Sequence, residues 1–80
     1  MPTVEKIIEK MKTSPKSITE RELLRVLNYK GFKQIHRKGS HTTFYNDETE
    51  TTITIPLKKI IKECYVKDVL VKIGERDENR

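Results

Sequence analysis

The chain has 80 residues, which suffice for one small domain with a limited core, because short chains bury a modest fraction of their surface. No apolar run approaches the roughly 20 residues that span a bilayer, and acids interrupt the N-terminal apolar pattern, so we expect neither a membrane segment nor a secretory signal. The single cysteine, Cys64, excludes an internal disulfide framework and is typical of a reducing cytosol.

Positive charge is concentrated in one part of the chain. The net charge is +5, from 17 Lys/Arg and 12 Asp/Glu. Five of the basic residues lie in the acid-free segment 23–46, so the rest of the chain balances to zero. A further cluster follows at Lys58, Lys59 and Lys62. Such a patch indicates a polyanionic partner, although charge alone also fits a solvated face or a surface that docks an acidic protein.

Three helices are predicted where apolar residues recur at helical spacing, in segments 3–12, 20–30 and 65–73. Pro15 cannot extend the first helix, and Gly74 ends the third. The residues that define these two patterns are Val4, Ile7, Ile8 and Met11, and Val66, Val69, Leu70 and Ile73.

The second helix has clear start and stop signals. Thr19 and Glu22 have the spacing of a capping box, and Ile18 and Leu23 that of a hydrophobic staple. Gly31 is placed to close the helix.

Three strands are predicted between the second and third helices, in segments 32–37, 40–46 and 50–56. Their short connections favour an antiparallel meander with one buried face. The predicted fold is therefore α+β, a two-layer sandwich of a three-stranded antiparallel sheet with helices on one face. Its order is α-β-β-β-α after an extra N-terminal helix.

Strand alternation places His41 on the open face of this sheet. Phe44 is the best core candidate of the second strand, so His41 and Tyr45 point away from the helices. The alternation does not show which face of the first strand carries His36, because Phe32 and Ile35 do not alternate strictly. A bulge near residues 31–33 would reconcile these two positions.

Several chemistries are poorly supported by the remaining residues. Acids lie away from the basic patch, and the three glycines are too scattered for a phosphate-binding loop. Two histidines and one cysteine are too few for a credible metal site, so we expect no metal or cofactor.

A histidine among cations suits RNA cleavage, because RNA carries its own nucleophile, the 2′-hydroxyl. A histidine can transfer the proton, and cations can stabilise the charged phosphorane. Lys38 and the backbone N–H groups of Gly39 and Ser40 are placed to meet phosphate oxygens.

The motif Lys38-Gly39-Ser40-His41 lies between a basic strand that follows Gly31-Phe32 and a strand that ends in Thr54-Ile55-Pro56. With the Lys58-Lys59 loop and a final helix ending at Gly74, this pattern resembles the HicA family of toxin–antitoxin systems over about residues 19–74.

The resemblance implies a fold like that of double-stranded-RNA-binding domains and a cytoplasmic toxin that cleaves mRNA. His41 matches the family's catalytic histidine, acting as general base or acid, and a HicB-type antitoxin would cover the active face. We expect Tyr45 to stack on bases and the cations to bind the RNA backbone. The residues expected to contact RNA are Lys30, Lys33, Arg37, Lys38, Gly39, Ser40, Tyr45, Lys58 and Lys59.

The resemblance and the composition together predict the domain organisation. Residues 1–17 form an N-terminal helical extension, 18–74 the ribonuclease domain and 75–80 a polar tail that we expect to be disordered. The extension could pack on the domain, mediate a homodimer or contact the antitoxin. Two further functions remain open: an RNA-binding module without catalysis, which would bind duplex RNA, and a protein-interaction domain.

Overall fold

The computed structural model describes residues 3–75. The helices are α1 (Val4–Thr13), α2 (Glu20–Tyr29) and α3 (Glu63–Lys72), with a short 3-10 turn at Pro15–Ser17. The strands are β1 (Lys33–Lys38), β2 (His41–Asn46) and β3 (Thr51–Pro56), paired antiparallel in the order β1-β2-β3. The predicted α+β class and element order are confirmed. Most of the predicted tail lies outside the described residues.

Helix α2 begins with the predicted capping box. The Thr19 hydroxyl accepts from the Glu22 amide at 3.2 Å, and the Glu22 carboxylate accepts from the Thr19 amide at 3.0 Å. Lys10 of α1 also donates to both Glu22 carboxylate oxygens, at 3.1 and 3.0 Å. Burial raises the pKa of Glu22, but the hydrogen bonds from the Thr19 backbone and from Lys10 outweigh it, so this pKa lies below its ordinary value. The start of α2 is therefore also a contact with α1.

The hydrophobic core lies between the helices and one face of the sheet. Phe44, Ile53 and Ile55 supply the sheet side, and each is at most 3% exposed. Helix α1 belongs to the same core, with Ile7 and Met11 almost fully buried. Of the three roles open for the N-terminal extension, packing on the domain is the one observed, while the boundary at residue 17 stays a prediction.

The β-bulge lies further along β1 than the sequence suggested. Gln34 pairs with Phe44 and His36 with Thr43, so Ile35 is the extra residue. The expectation of a bulge near residues 31–33 was wrong. Phe32 precedes the strand and is buried, whereas Ile35 is 59% exposed, so Ile35 need not share the face of Phe32. The bulge sets which β1 side chains face which side.

Candidate active site

The turn between β1 and β2 presents His41 at the start of β2. Lys38 pairs with His41, which leaves Gly39 and Ser40 as a two-residue hairpin loop. Gly39 has φ +61°, the left-handed region that such a turn requires and that glycine adopts without strain. The Arg37 Nε donates to the Gly39 carbonyl oxygen at 3.0 Å, and the Leu57 amide donates to the Ser40 carbonyl oxygen at 2.7 Å. The Arg37 side chain on β1 and the Leu57 amide just after β3 therefore both hold the turn.

His41 lies on the open face of the sheet, as strand alternation predicts. Along β2 its side chain is exposed, whereas Thr42 and Phe44 are 0% and 3% exposed and face the helices. Thr43 shares the face of His41, and its hydroxyl lies 3.2 Å from that of Thr54 on β3. The histidine is thus accessible to a large ligand across the sheet surface.

The register of β1 brings three more polar side chains to this face. Residues that pair directly across antiparallel strands point to the same side. Lys38 lies opposite His41, His36 opposite Thr43 and Lys33 opposite Tyr45. The side chains that share this open face are therefore His36, His41, Lys33, Lys38 and Tyr45.

Lys58 and Lys59 follow β3 at the end of the sheet where His41 lies, and the Lys59 carbonyl oxygen accepts from the Glu20 amide at the start of α2 at 3.4 Å. Pro56 is the β3 partner of His41, and the two lysines follow it within three residues. Both are exposed. They add positive charge at this end of the sheet, and their contact with RNA stays a prediction.

Two residues predicted to contact RNA lie elsewhere. Lys30 ends α2 beside Asn46, whose side-chain amide donates to the Lys30 carbonyl oxygen at 2.8 Å, so Lys30 is at the opposite end of β2 from His41. Its ammonium pairs with Glu75 at 3.0 Å. Arg37 pairs with Thr42 and so points to the helix side, where it holds the turn. The acidic turn at residues 47–50 also lies at the Asn46 end, away from His41.

His36 is the residue whose position sequence reasoning missed. The bulge at Ile35 turns His36 onto the face of His41, and neither strand alternation nor composition locates such a bulge.

Within residues 3–75, no three His, Cys, Asp or Glu side chains gather into a group that could hold a metal ion. None of the helices in that range has the length and apolar character to cross a membrane.

These features define a small basic α+β domain with two histidines and two lysines on the uncovered face of its sheet. Residues 21–74 match the family model for the HicA toxin of bacterial toxin–antitoxin systems. That match covers more than half of the chain, which therefore belongs to the HicA toxin family. No curated protein and no solved structure matches it. Membership of this family gives the chain the role of a toxin and implies an antitoxin partner.

Proposed function

We propose that this HicA-family toxin is a metal-independent endoribonuclease that cleaves mRNA, with His41 as a proton-transfer group. The observation that carries the proposal is the placement of His41. It lies exposed at a fixed turn, with Lys38 directly opposite on the same face. The family match adds the toxin role.

The reaction needs little beyond what this face offers. The 2′-oxygen attacks the adjacent phosphorus, the bond from phosphorus to the 5′-oxygen breaks, and the products are a 2′,3′-cyclic phosphate and a 5′-hydroxyl. His41 can accept the proton of the 2′-hydroxyl or donate one to the leaving 5′-oxygen. The ammonium of Lys38 and the backbone N–H groups of the turn can stabilise the added charge on the phosphorane.

RNA binding is proposed for the face around His41 rather than for every cation of the chain. Lys33, Lys38, Lys58 and Lys59 supply charge for the phosphates, and Tyr45 supplies a ring on which a base can stack. Lys30 and Arg37 do not belong to this set, because one is paired at the far end of the sheet and the other faces the helices.

The proposed partner is a HicB-type antitoxin that covers the open face and blocks access of mRNA in the cytoplasm. An exposed face dense in cations suits an acidic protein surface as well as RNA, since both carry negative charge. Competition between the two ligands for one face would explain how the antitoxin silences the toxin.

The test is induction of the toxin in a bacterial host, without and with its antitoxin, followed by mapping of mRNA ends. We expect growth arrest and new 5′-hydroxyl ends with the wild type, and neither with His41→Ala. Gln34→Ala, at an exposed β1 position that faces the helix side, is the matched control and should arrest growth as the wild type does. Growth arrest by His41→Ala at equal expression would overturn the proposal. Duplex binding without new RNA ends would instead favour a non-catalytic RNA-binding module.

A further inference from the structure

We propose that His36 is a second catalytic residue, the proton-transfer partner of His41. One imidazole takes the proton of the 2′-hydroxyl, and the other gives a proton to the 5′-oxygen as it leaves. This inference rests on the proposed ribonuclease function and goes beyond it, because it assigns both proton transfers to side chains of one sheet face.

The bulge in β1 is the observation that carries the inference. Phe32 is buried, so strict alternation from it would turn His36 toward the helices. The extra residue, Ile35, reverses that alternation, and His36 comes to lie opposite Thr43 on the face of His41. Bulges occur next to active sites, where they redirect a side chain.

The spacing of the two histidines suits a single phosphate. Lys38 pairs with His41 and His36 with Thr43, so the histidines are diagonal neighbours on adjacent strands. Diagonal neighbours lie about 7–8 Å apart, with their Cβ atoms somewhat closer, which is within reach of two imidazole rings that contact opposite sides of one phosphate. Both side chains are exposed, which leaves room for the RNA between them.

The protons balance in this scheme without any further reactant. The imidazole that begins neutral gains the proton of the 2′-hydroxyl when the bond from the 2′-oxygen to phosphorus forms. The imidazole that begins protonated loses its proton to the 5′-oxygen when the bond from phosphorus to that oxygen breaks. The attacking and leaving oxygens stand in line across the phosphorus, so one group cannot serve both at once.

The test is single-turnover cleavage of an RNA oligonucleotide at the site mapped with the wild type. A second oligonucleotide carries sulfur in place of the bridging 5′-oxygen, because a thiolate leaves without being protonated. On the ordinary RNA, His36→Ala and His41→Ala should each lose about 10²–10⁴-fold in rate. On the sulfur-containing RNA, the variant that lacks the acid should recover to near the wild-type rate, and the other should stay slow.

A double variant with the imidazole moved across the strand is the matched control. Gln34→His combined with His36→Gln keeps the composition of β1 but places the imidazole on the helix side, opposite Phe44. We expect it to fold, as judged by its melting temperature, and to cleave as slowly as His36→Ala.

Different outcomes separate this inference from the proposed function. If His36→Ala cleaves ordinary RNA at the wild-type rate while His41→Ala does not, the role of His36 is overturned and that of His41 stands. If neither variant recovers on the sulfur-containing RNA, the two-histidine assignment is also overturned. If the wild type itself does not cleave RNA, the proposed function fails and this inference fails with it.

Discussion

The amide of Leu57 donates a hydrogen bond of 2.7 Å to the carbonyl oxygen of Ser40, and so joins the end of β3 to the turn that precedes His41. The first two strands form that turn, but the third holds it in place. The backbone just before His41 is therefore held by hydrogen bonds from Arg37 and from Leu57. This lowers the free-energy cost of orienting an exposed imidazole toward RNA.

Replacement of Gly39 should strain this turn. Gly39→Ala forces a residue with a Cβ atom to φ +61°, although the new Cβ would meet no atom within 4 Å apart from those of the adjacent residues. We expect a loss of about 1–2 kcal/mol in the free energy of unfolding and a clear loss of RNA cleavage, measured by denaturation and by cleavage rate. Gly74→Ala is the matched control, because Gly74 also has open space and a positive φ of +82° but follows α3. Equal cleavage by the two variants would contradict the importance of the turn.

Replacement of Thr42 should stabilise the protein. Thr42 is fully buried, and its hydroxyl has no hydrogen-bond partner within residues 3–75. Thr42→Val keeps the shape and removes the unpaired polar atom, so we expect a gain of about 1–2 kcal/mol in the free energy of unfolding. Thr43→Val, on the open face, loses the contact with Thr54 and should bring no gain. A destabilised Thr42→Val would show that the hydroxyl is well solvated or bonded.

RNA binding should weaken with salt, and Lys38 should contribute to that dependence. Each cation that neutralises a phosphate of single-stranded RNA contributes about −0.7 to the slope of log affinity against log salt. Lys38→Ala should therefore make the slope shallower by about that amount, as measured by fluorescence anisotropy with a cleavage-deficient His41→Ala background. Lys30→Ala should leave the slope unchanged, since that ammonium pairs with Glu75. The reverse pattern would move the binding surface away from the open face.

Stability should fall in acid, partly through Glu75. Hydrogen bonds from Lys30 and Lys12 hold the pKa of Glu75 below its ordinary value of 4.5, despite some burial. A carboxyl whose pKa is lowered by folding stabilises the protein above that ordinary value, and this contribution disappears as the pH falls through the folded pKa. Glu75→Gln should therefore cost about 0.5–1 kcal/mol at neutral pH and nearly nothing once the pH is below the folded pKa of Glu75. Glu48→Gln, at an exposed turn position, is the control. If Glu75→Gln lowered the free energy of unfolding by the same amount at all pH values, the stabilising role of the ionised Glu75 carboxylate would be contradicted.

Much of the fold could be predicted because local patterns and packing agree. Thr19 and Glu22 determine where α2 starts, and the alternation of Ile53 and Ile55 with threonines determines which face of β3 is buried. The same alternation places His41, because Phe44 fixes the orientation of β2. Gly39 gives the turn that precedes it.

The rest depends on tertiary contacts that no local pattern encodes. The position of the bulge at Ile35 follows from how β1 pairs with β2, so the face of His36 was not predictable. Lys30 carries the same charge as Lys38 in the sequence, but only the fold shows that Lys30 is paired with Glu75 from the other end of the chain.

Whether His41 transfers a proton in metal-independent RNA cleavage is tested most directly by the single-turnover cleavage rate of His41→Ala. The rate is compared with those of the wild type and of Gln34→Ala, in the presence of a chelator. We predict wild-type cleavage that the chelator does not reduce, a similar rate for Gln34→Ala, and a loss of about 10²–10⁴-fold for His41→Ala with RNA binding retained. Cleavage by His41→Ala at the wild-type rate would contradict the account.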